Sequence, residues 1–264
     1  LMGVNGLNRL RTISDVGLSV TFVEFDWGTD IYEARQFVQE RLGAIKLPEG
    51  VTPYMTPATS LMGNIMLVAL LDPSEEISPQ ELRTQADWVV GRRLQSIAGI
   101  AEVLPMGGGI RQIQIQPDPE RMLALGVTYD ELRTAAGNSV RNTTGGYIEG
   151  DSQEIMVRNL SMTTDLNRIA MTTVRHEKSR PLRIKDVARV VWDTEPMRGD
   201  AGAEGHPAVI LSITKAPGYD TLDLTRQLEE ALEDLRGTVP EGVELHVAYR
   251  QADYINLSLN NLKD

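Results

Sequence analysis

The chain has 264 residues, 41% of them apolar, a formal net charge of -11 and no cysteine. The length suffices for two or three small domains with their own cores, and the apolar share suits a globular chain. The acidic balance argues against a nucleic-acid binder, which would need a basic stripe, and the missing cysteines exclude disulfides, thiolate metal sites and cysteine nucleophiles.

Leu7 to Ser14 and Leu18 to Phe25 read as strands around an Asp15-Val16-Gly17 turn, the second rich in β-branched and aromatic residues. Gly28 and Thr29 open a helix with Thr29 as the expected N-cap. Ile31, Ala34, Phe37, Val38 and Leu42 make its inner face, and Gly43 closes it. Pro48-Glu49-Gly50-Val51 then turns into an expected short strand near Thr52. Thr56 to Asn64 reads as a linker. Ile65 to Leu71 is the longest apolar run; it suits a buried strand and is far short of a membrane span.

Ser78 to Gly109 is the best-marked stretch. Ser78, Pro79 and Glu81 form a capping-box start. Leu82, Ala86, Val89, Val90, Leu94 and Ile97 recur at helical spacing, Gly99 supplies a left-handed cap, and Ile100 to Met106 is a strand stopped by Gly107-Gly108-Gly109. Those glycines lack the lysine and following helix of a phosphate loop and read as a hairpin turn. From Ile110 to Pro207 the pattern changes. Arg111 to Gln116 alternates as a half-buried strand. Pro119 to Leu125 is a helix closed by Gly126, and Thr128 with Glu131 caps another that runs to Val140. Asn142 to Asp151 is polar and glycine-bearing, a hairpin arm or loop. Gln153 to Arg158 is a strand, Asp165 to Ala170 a helical turn and Lys185-Asp186 a turn. Val187 to Trp192 is a strand, and Gly199 to Pro207 a polar loop. Val209 to Thr214 is the next strand. A helix follows with Leu224, Leu228, Ala231, Leu232 and Leu235 facing inward. Val243, Leu245, Val247 and Tyr249 alternate on the last strand, and Tyr254 to Lys263 begins an amphipathic helix.

Two echoes organise these elements. Leu1 to Leu10 aligns with Leu94 to Val103, pairing Gly6 with Gly99 at an offset of 93. Pro48-Glu49-Gly50-Val51 recurs as Pro240-Glu241-Gly242-Val243 at an offset of 192. The difference, 99, implies two copies of one unit, the second carrying about 99 inserted residues. The order strand, strand, helix, strand in the first copy is most of a split βαβ unit. Because Leu1 matches a helix end, the first strand and helix are expected upstream of it.

Catalytic chemistry is not marked. His176, His206 and His246 have no metal-ligand spacing; the first two fall in expected loops, and His246 lies on the face opposite Leu245 and Val247. Ten methionines are present, with Met55, Met62 and Met66 close together, and thioethers favour soft monovalent cations. Met66 reads as core. Met197, beside Glu195 and Arg198 in a polar stretch, is the candidate metal ligand.

The run ELRTQADWVVGRRLQSIAGIAEVLPMGG resembles the first periplasmic loop of resistance-nodulation-division efflux pumps, most closely the heavy-metal branch. VEFDWGTDIYEARQFVQERL, RQIQIQPDPERMLALGVT, PLRIKDVARV and RQADYINLSLNNL agree with it. The resemblance implies an α+β chain of two ferredoxin-like split βαβ porter subdomains with an α+β docking subdomain inserted in the second. Residues 1–57 would be a partial first porter subdomain, 58–109 and 208–253 the second, 110–207 the docking insertion, and 254–264 the start of a helix leading to a transmembrane segment. It further implies a proton-driven exporter of heavy-metal cations at the periplasmic face of the bacterial inner membrane. The expected partners are two further copies in a homotrimer, a membrane-fusion protein, an outer-membrane channel and a metal cation or small-molecule substrate, with no nucleic acid and no cofactor. The competing readings are a soluble ferredoxin-like module for a small ligand or protein, and an acylphosphatase-type enzyme, for which no phosphate loop is visible.

Overall fold

The computed structural model describes residues 2–48, 50–60, 62–140, 143–150, 153–159, 163–177, 180–197 and 199–263. In chain order, β1 (Leu7–Asp15) and β2 (Leu18–Phe25) form an antiparallel ribbon followed by α1 (Ile31–Gly43). Next come β3 (Asn64–Leu71), α2 (Pro79–Gln85), a π-helical segment (Ala86–Val90), α3 (Gly91–Gln95) and β4 (Ile100–Met106). Then follow β5 (Arg111–Pro117), α4 (Pro119–Ala124), α5 (Tyr129–Ser139), β6 (Thr143–Gly150) and β7 (Gln153–Asn159). After these lie α6 (Leu166–Ala170), β8 (Thr173–Glu177), β9 (Arg180–Arg183), α7 (Ile184–Val187), β10 (Ala188–Thr194) and β11 (Gly202–Ala203). The chain closes with β12 (His206–Lys215), α8 (Thr221–Arg236), β13 (Glu244–Arg250) and α9 (Gln251–Lys263).

Two compact units result. One holds Leu1–Ser74, Gln85–Met106 and Ile210–Asp264; the other holds Glu75–Thr84 and Gly107–Val209. The first contains the sheet β4-β12-β3-β13, whose outer pairs are antiparallel. Strands far apart in sequence therefore sit side by side, and the order is that of a ferredoxin-like split βαβ unit. The pattern of β3 explains its central place: Ile65, Met66, Val68, Ala69, Leu70 and Leu71 are all buried, so both faces are covered. Leu224, Leu228, Ala231, Leu232 and Leu235 of α8 are buried at helical spacing, as the sequence predicts. The Asp220 carboxylate starts that helix by accepting the Asp223 N–H at 2.9 Å.

The second unit has its own core. Val127, Leu132, Ala135, Leu182, Ile184, Val187 and Ala188 are buried together, with Ile115, Met122, Val174 and Val190 packed on them. β5 pairs with β10, β6 with β7 and β8 with β9, all antiparallel. Thr128 and Glu131 form the expected capping box. Arg175 reaches the same corner, donating to the carbonyls of Leu125 at 2.6 Å and Gly126 at 2.9 Å and to Glu131 at 3.4 Å. The Thr128 backbone N–H, then the Thr128 hydroxyl and the Arg175 guanidinium, hold the Glu131 carboxyl below its ordinary range.

Several sequence expectations change. Asp30, not Thr29, caps α1, its carboxylate accepting from Tyr32 N–H at 2.8 Å and Glu33 N–H at 3.2 Å. An ionised acceptor competes better for those amides than a hydroxyl one residue earlier. No strand forms near Thr52; Pro53 and Pro57 remove ladder donors there. His176 lies on strand β8 and His206 opens strand β12, so neither is in a loop. Gly107-Gly108-Gly109 is not a hairpin turn, because β4 and β5 belong to different sheets. The three glycines form a packed crossing instead. A Cβ on Gly107 would lie 2.5 Å from Ala201 Cβ, and one on Gly108 would lie 2.7 Å from the Pro79 carbonyl. Arg83 Nη1 donates to the Gly107 carbonyl at 2.9 Å. The helix expected from Pro79 is interrupted by the π segment, where Gly91 N–H bonds to the Ala86 carbonyl. A Cβ at Gly91 would stand 2.5 Å from that oxygen, which is why glycine occupies the position.

Candidate functional site

The two sequence echoes become one repeated piece of geometry. Leu7 N–H bonds the Val4 carbonyl at 3.2 Å, and Ile100 N–H bonds the Ile97 carbonyl at 3.1 Å. Val4 and Ile97 are both buried. Gly6 and Gly99 follow, with φ of 73° and 99°. The Gly6 carbonyl accepts from Asp26 N–H, and the Gly99 carbonyl accepts from Ala216 N–H, each at 2.8 Å. Gly28 and Gly218 then take φ of 86° and 85°. The next residue packs over the earlier glycine: a Cβ on Gly6 would lie 2.5 Å from Thr29 Oγ1, and one on Gly99 would lie 2.7 Å from Tyr219 Cγ. Asp30 and Asp220 come next, each capping its helix. At the far end Val51 N–H bonds the Pro48 carbonyl and Val243 N–H bonds the Pro240 carbonyl, both at 3.1 Å. The corner Gly-x-Asp at 28–30 and 218–220 went unread in the sequence, though the shared offset of 190 from Gly28 to Gly218 was available to find it.

This corner sets what each copy exposes. β1 pairs Arg11 with Phe22, Ile13 with Val20 and Asp15 with Leu18, so these share one face of the ribbon. Ile13, Leu18, Val20 and Phe22 are exposed, with the Arg11 guanidinium 5.1 Å from the Phe22 ring centre. The matching pairs in the second copy are Leu104 with Ser212 and Met106 with Ile210; Leu104 and Met106 are likewise exposed. Both copies thus present exposed large apolar side chains on a strand face, a feature of interaction surfaces.

The soft and titratable groups do not gather. Met66 is fully buried, as read from its strand, and Met62 is exposed. Met197 follows β10 on an irregular stretch and is 55% exposed, so its thioether is reachable. Near it, Glu195 N–H donates to the Ile110 carbonyl at 2.9 Å, which holds the start of that stretch. His246 is exposed on β13 opposite Ala69, and His206 Nδ1 lies 3.2 Å from Glu75 Oε1. Among the described residues, no three His, Asp or Glu side chains are grouped to hold a metal ion, and no helix is long and apolar enough to cross a membrane. Asn142 and Asp151 lie outside the described residues; Thr143–Gly150 between them forms strand β6 of a hairpin with β7.

A family model described as the AcrB/AcrD/AcrF family matches residues 1–264. The chain is 33% identical to the putative cation efflux system protein SilA of Salmonella typhimurium, over 99% of this chain and 25% of that protein. It is 32% identical to the cation efflux system protein CusA of Escherichia coli, over 99% of this chain and 25% of that protein. A crystal structure of a heavy metal efflux pump shares the fold with a TM-score of 0.84 at 24% identity, over 97% of this chain and 26% of that chain. The chain spans about a quarter of the length of the curated relatives it matches. With the duplicated split βαβ corner and a family match over every residue, the chain belongs to the AcrB/AcrD/AcrF family of resistance-nodulation-division proteins, beside its heavy-metal cation efflux relatives.

Proposed function

We propose that this chain is the periplasmic porter and docking portion of a proton-driven inner-membrane exporter of heavy-metal cations. The observation that carries the reading is the family match over residues 1–264, together with relatives named for cation efflux. On this reading residues 1–57 belong to a first porter subdomain, 58–109 and 208–253 to a second, and 110–207 to a docking insertion, with 254–264 leading toward the membrane. The intact exporter works as a homotrimer with a membrane-fusion protein and an outer-membrane channel. No bond is made or broken in the cargo. The work is done by surfaces that open and close, which suits paired apolar strand faces better than a cluster of acids and bases.

Met197 is proposed as a cargo contact. Its exposed thioether is a soft donor, and a lone thioether holds a cation loosely enough to release it. Silver titration followed by the Met197 methyl resonance tests this; a shift abolished by Met197→Leu is expected, and an unmoved methyl at millimolar silver refutes the role. The wider reading is tested on the gene. A reading frame that runs past Asp264 into about 20 apolar residues supports an exporter. A stop codon directly after Asp264 would refute it and favour a soluble binding module.

A further inference from the structure

The second unit carries a concavity that cation export does not call for. Gln116, Pro117, Asp118, Arg121, Ala188 and Arg189 line it, where β5 runs into α4 beside the start of β10. The sequence RQIQIQP ends in it with Gln116 and Pro117. Strand alternation places Gln112, Gln114 and Gln116 on one face and Ile113 and Ile115 on the other. Register sets Gln116 opposite Arg189 and Gln112 opposite Asp193.

Both guanidiniums are positioned before any ligand arrives. Arg189 Nη2 donates to Gln116 Oε1 at 3.0 Å. Gln116 Nε2 donates in turn to Gln114 Oε1 at 3.0 Å and to Asp193 Oδ2 at 3.2 Å. Gln114 Nε2 ends the row on the Thr194 carbonyl at 2.8 Å. On the other wall Arg121 Nε lies 3.1 Å from Asp118 Oδ2. Asp118 Oδ1 is itself fixed by the Arg121 backbone N–H at 3.1 Å. A guanidinium has five N–H donors in a planar fork. The bonds named engage one N–H of each fork, and both arginines line the concavity.

We propose that this concavity docks a carboxylate side chain presented by an acidic segment of a partner protein. A planar carboxylate matches the guanidinium fork in two parallel hydrogen bonds. Pro117 and Ala188 supply apolar wall for the methylenes of a glutamate stem. The Asp118 carboxylate in the same wall disfavours a compact dianion such as phosphate. The chain carries a net charge of -11, which repels small anions and an acidic segment alike, so binding has to come from the fork and from further contacts made by the segment. Exposed arginines in water hold a free anion weakly, and a carboxylate tethered to further contacts overcomes both penalties. Which protein presents it rests on the reading of the chain as part of a multi-protein exporter; the preference for carboxylate does not.

The test uses the 264-residue chain in an amide NMR titration at low salt. The probes are a short peptide bearing four glutamates and, separately, inorganic phosphate at matched ionic strength. Saturable shifts at residues 114–121 and 188–189 with the peptide are expected, weakened about tenfold or more by Arg121→Gln with Arg189→Gln. Arg189→Lys, which keeps charge and loses the fork, should also weaken binding, and Gln116→Leu should do so with both arginines in place. The proposal is overturned if the peptide gives no saturable shift, if the double variant or Arg189→Lys binds as well, or if phosphate occupies the pocket equally well. Failure here leaves a cation-export phenotype untouched, and failure of the export reading leaves these shifts in place.

Discussion

Substituting Gly99 with alanine is the sharpest test of the repeated corner. Gly99 has φ of 99°, where an L side chain costs about 1–2 kcal/mol. Its new Cβ would sit 2.7 Å from Tyr219 Cγ and 2.8 Å from Cε1. Tyr219 is 46% exposed, so its ring can swing outward and the displacement adds about 1 kcal/mol, the low end of overpacking costs. The sum is about 2–3 kcal/mol for Gly99→Ala. Gly17→Ala is the control, with φ of 77° and open space around its Cβ; it should cost about 1–2 kcal/mol from the backbone alone. Tyr219→Ala frees the space, so the double variant Gly99→Ala with Tyr219→Ala should recover about 1 kcal/mol of coupling. Urea unfolding followed by circular dichroism gives the totals. Native-state amide exchange of β12 and α8 reports the unit that contains them. Equal costs for Gly99→Ala and Gly17→Ala, or strict additivity with Tyr219→Ala, would refute the packing argument.

Leu228 is fully buried on α8, so Leu228→Ala should cost about 2–5 kcal/mol and lower the unfolding midpoint in urea. Glu131 is held low in the folded state. Its contribution is therefore present above its unfolded-state value and lost as pH falls through the folded one. Glu131→Gln should flatten the acid limb of stability below about pH 4.5, and an unchanged acid limb would contradict the capping account. Deleting Thr144 to Gly150 removes most of β6. The shortened chain should keep its circular dichroism and unfolding midpoint, while trimer assembly of an intact exporter weakens. The chain alone should sediment as a monomer at micromolar concentration, and a stable trimer would count against the need for further contacts.

Much of the fold was legible because local and global signals agree. Ser78 and Glu81 mark a start that the structure keeps, Ser78 Oγ accepting Glu81 N–H at 3.2 Å. The inner face of α8 repeats at helical spacing and is buried at every predicted position. Gly6 and Gly99 matched because a left-handed turn leaves a mark on residue type. What failed depends on partners that no short window contains. The strand expected at Thr52 does not form, since Pro53 and Pro57 remove ladder donors and no described strand pairs with it. β8 and β9 were missed because Arg180–Arg183 is four residues long, contains proline and is a strand only by pairing. The π segment depends on one displaced hydrogen bond, and the glycine triplet looks like a turn until its neighbours are known. Arg175 and the Gln116–Arg189 row were invisible for the same reason: they join residues 44 and 73 positions from their partners. The candidate site was therefore read only as single residues, of which Met197 is one, and not as surfaces.

The most direct test of the central claim is a chimaera. Residues 1–264 replace the matching quarter of Escherichia coli CusA in cells lacking that protein, and growth is scored against silver, copper, cobalt, zinc, cadmium and nickel. The account predicts restored tolerance to at least one of these cations, with the chimaera in the inner membrane at the parent's level and tolerance lost in the Gly99→Ala variant. A chimaera present and trimeric at that level that confers no tolerance to any of them would contradict it.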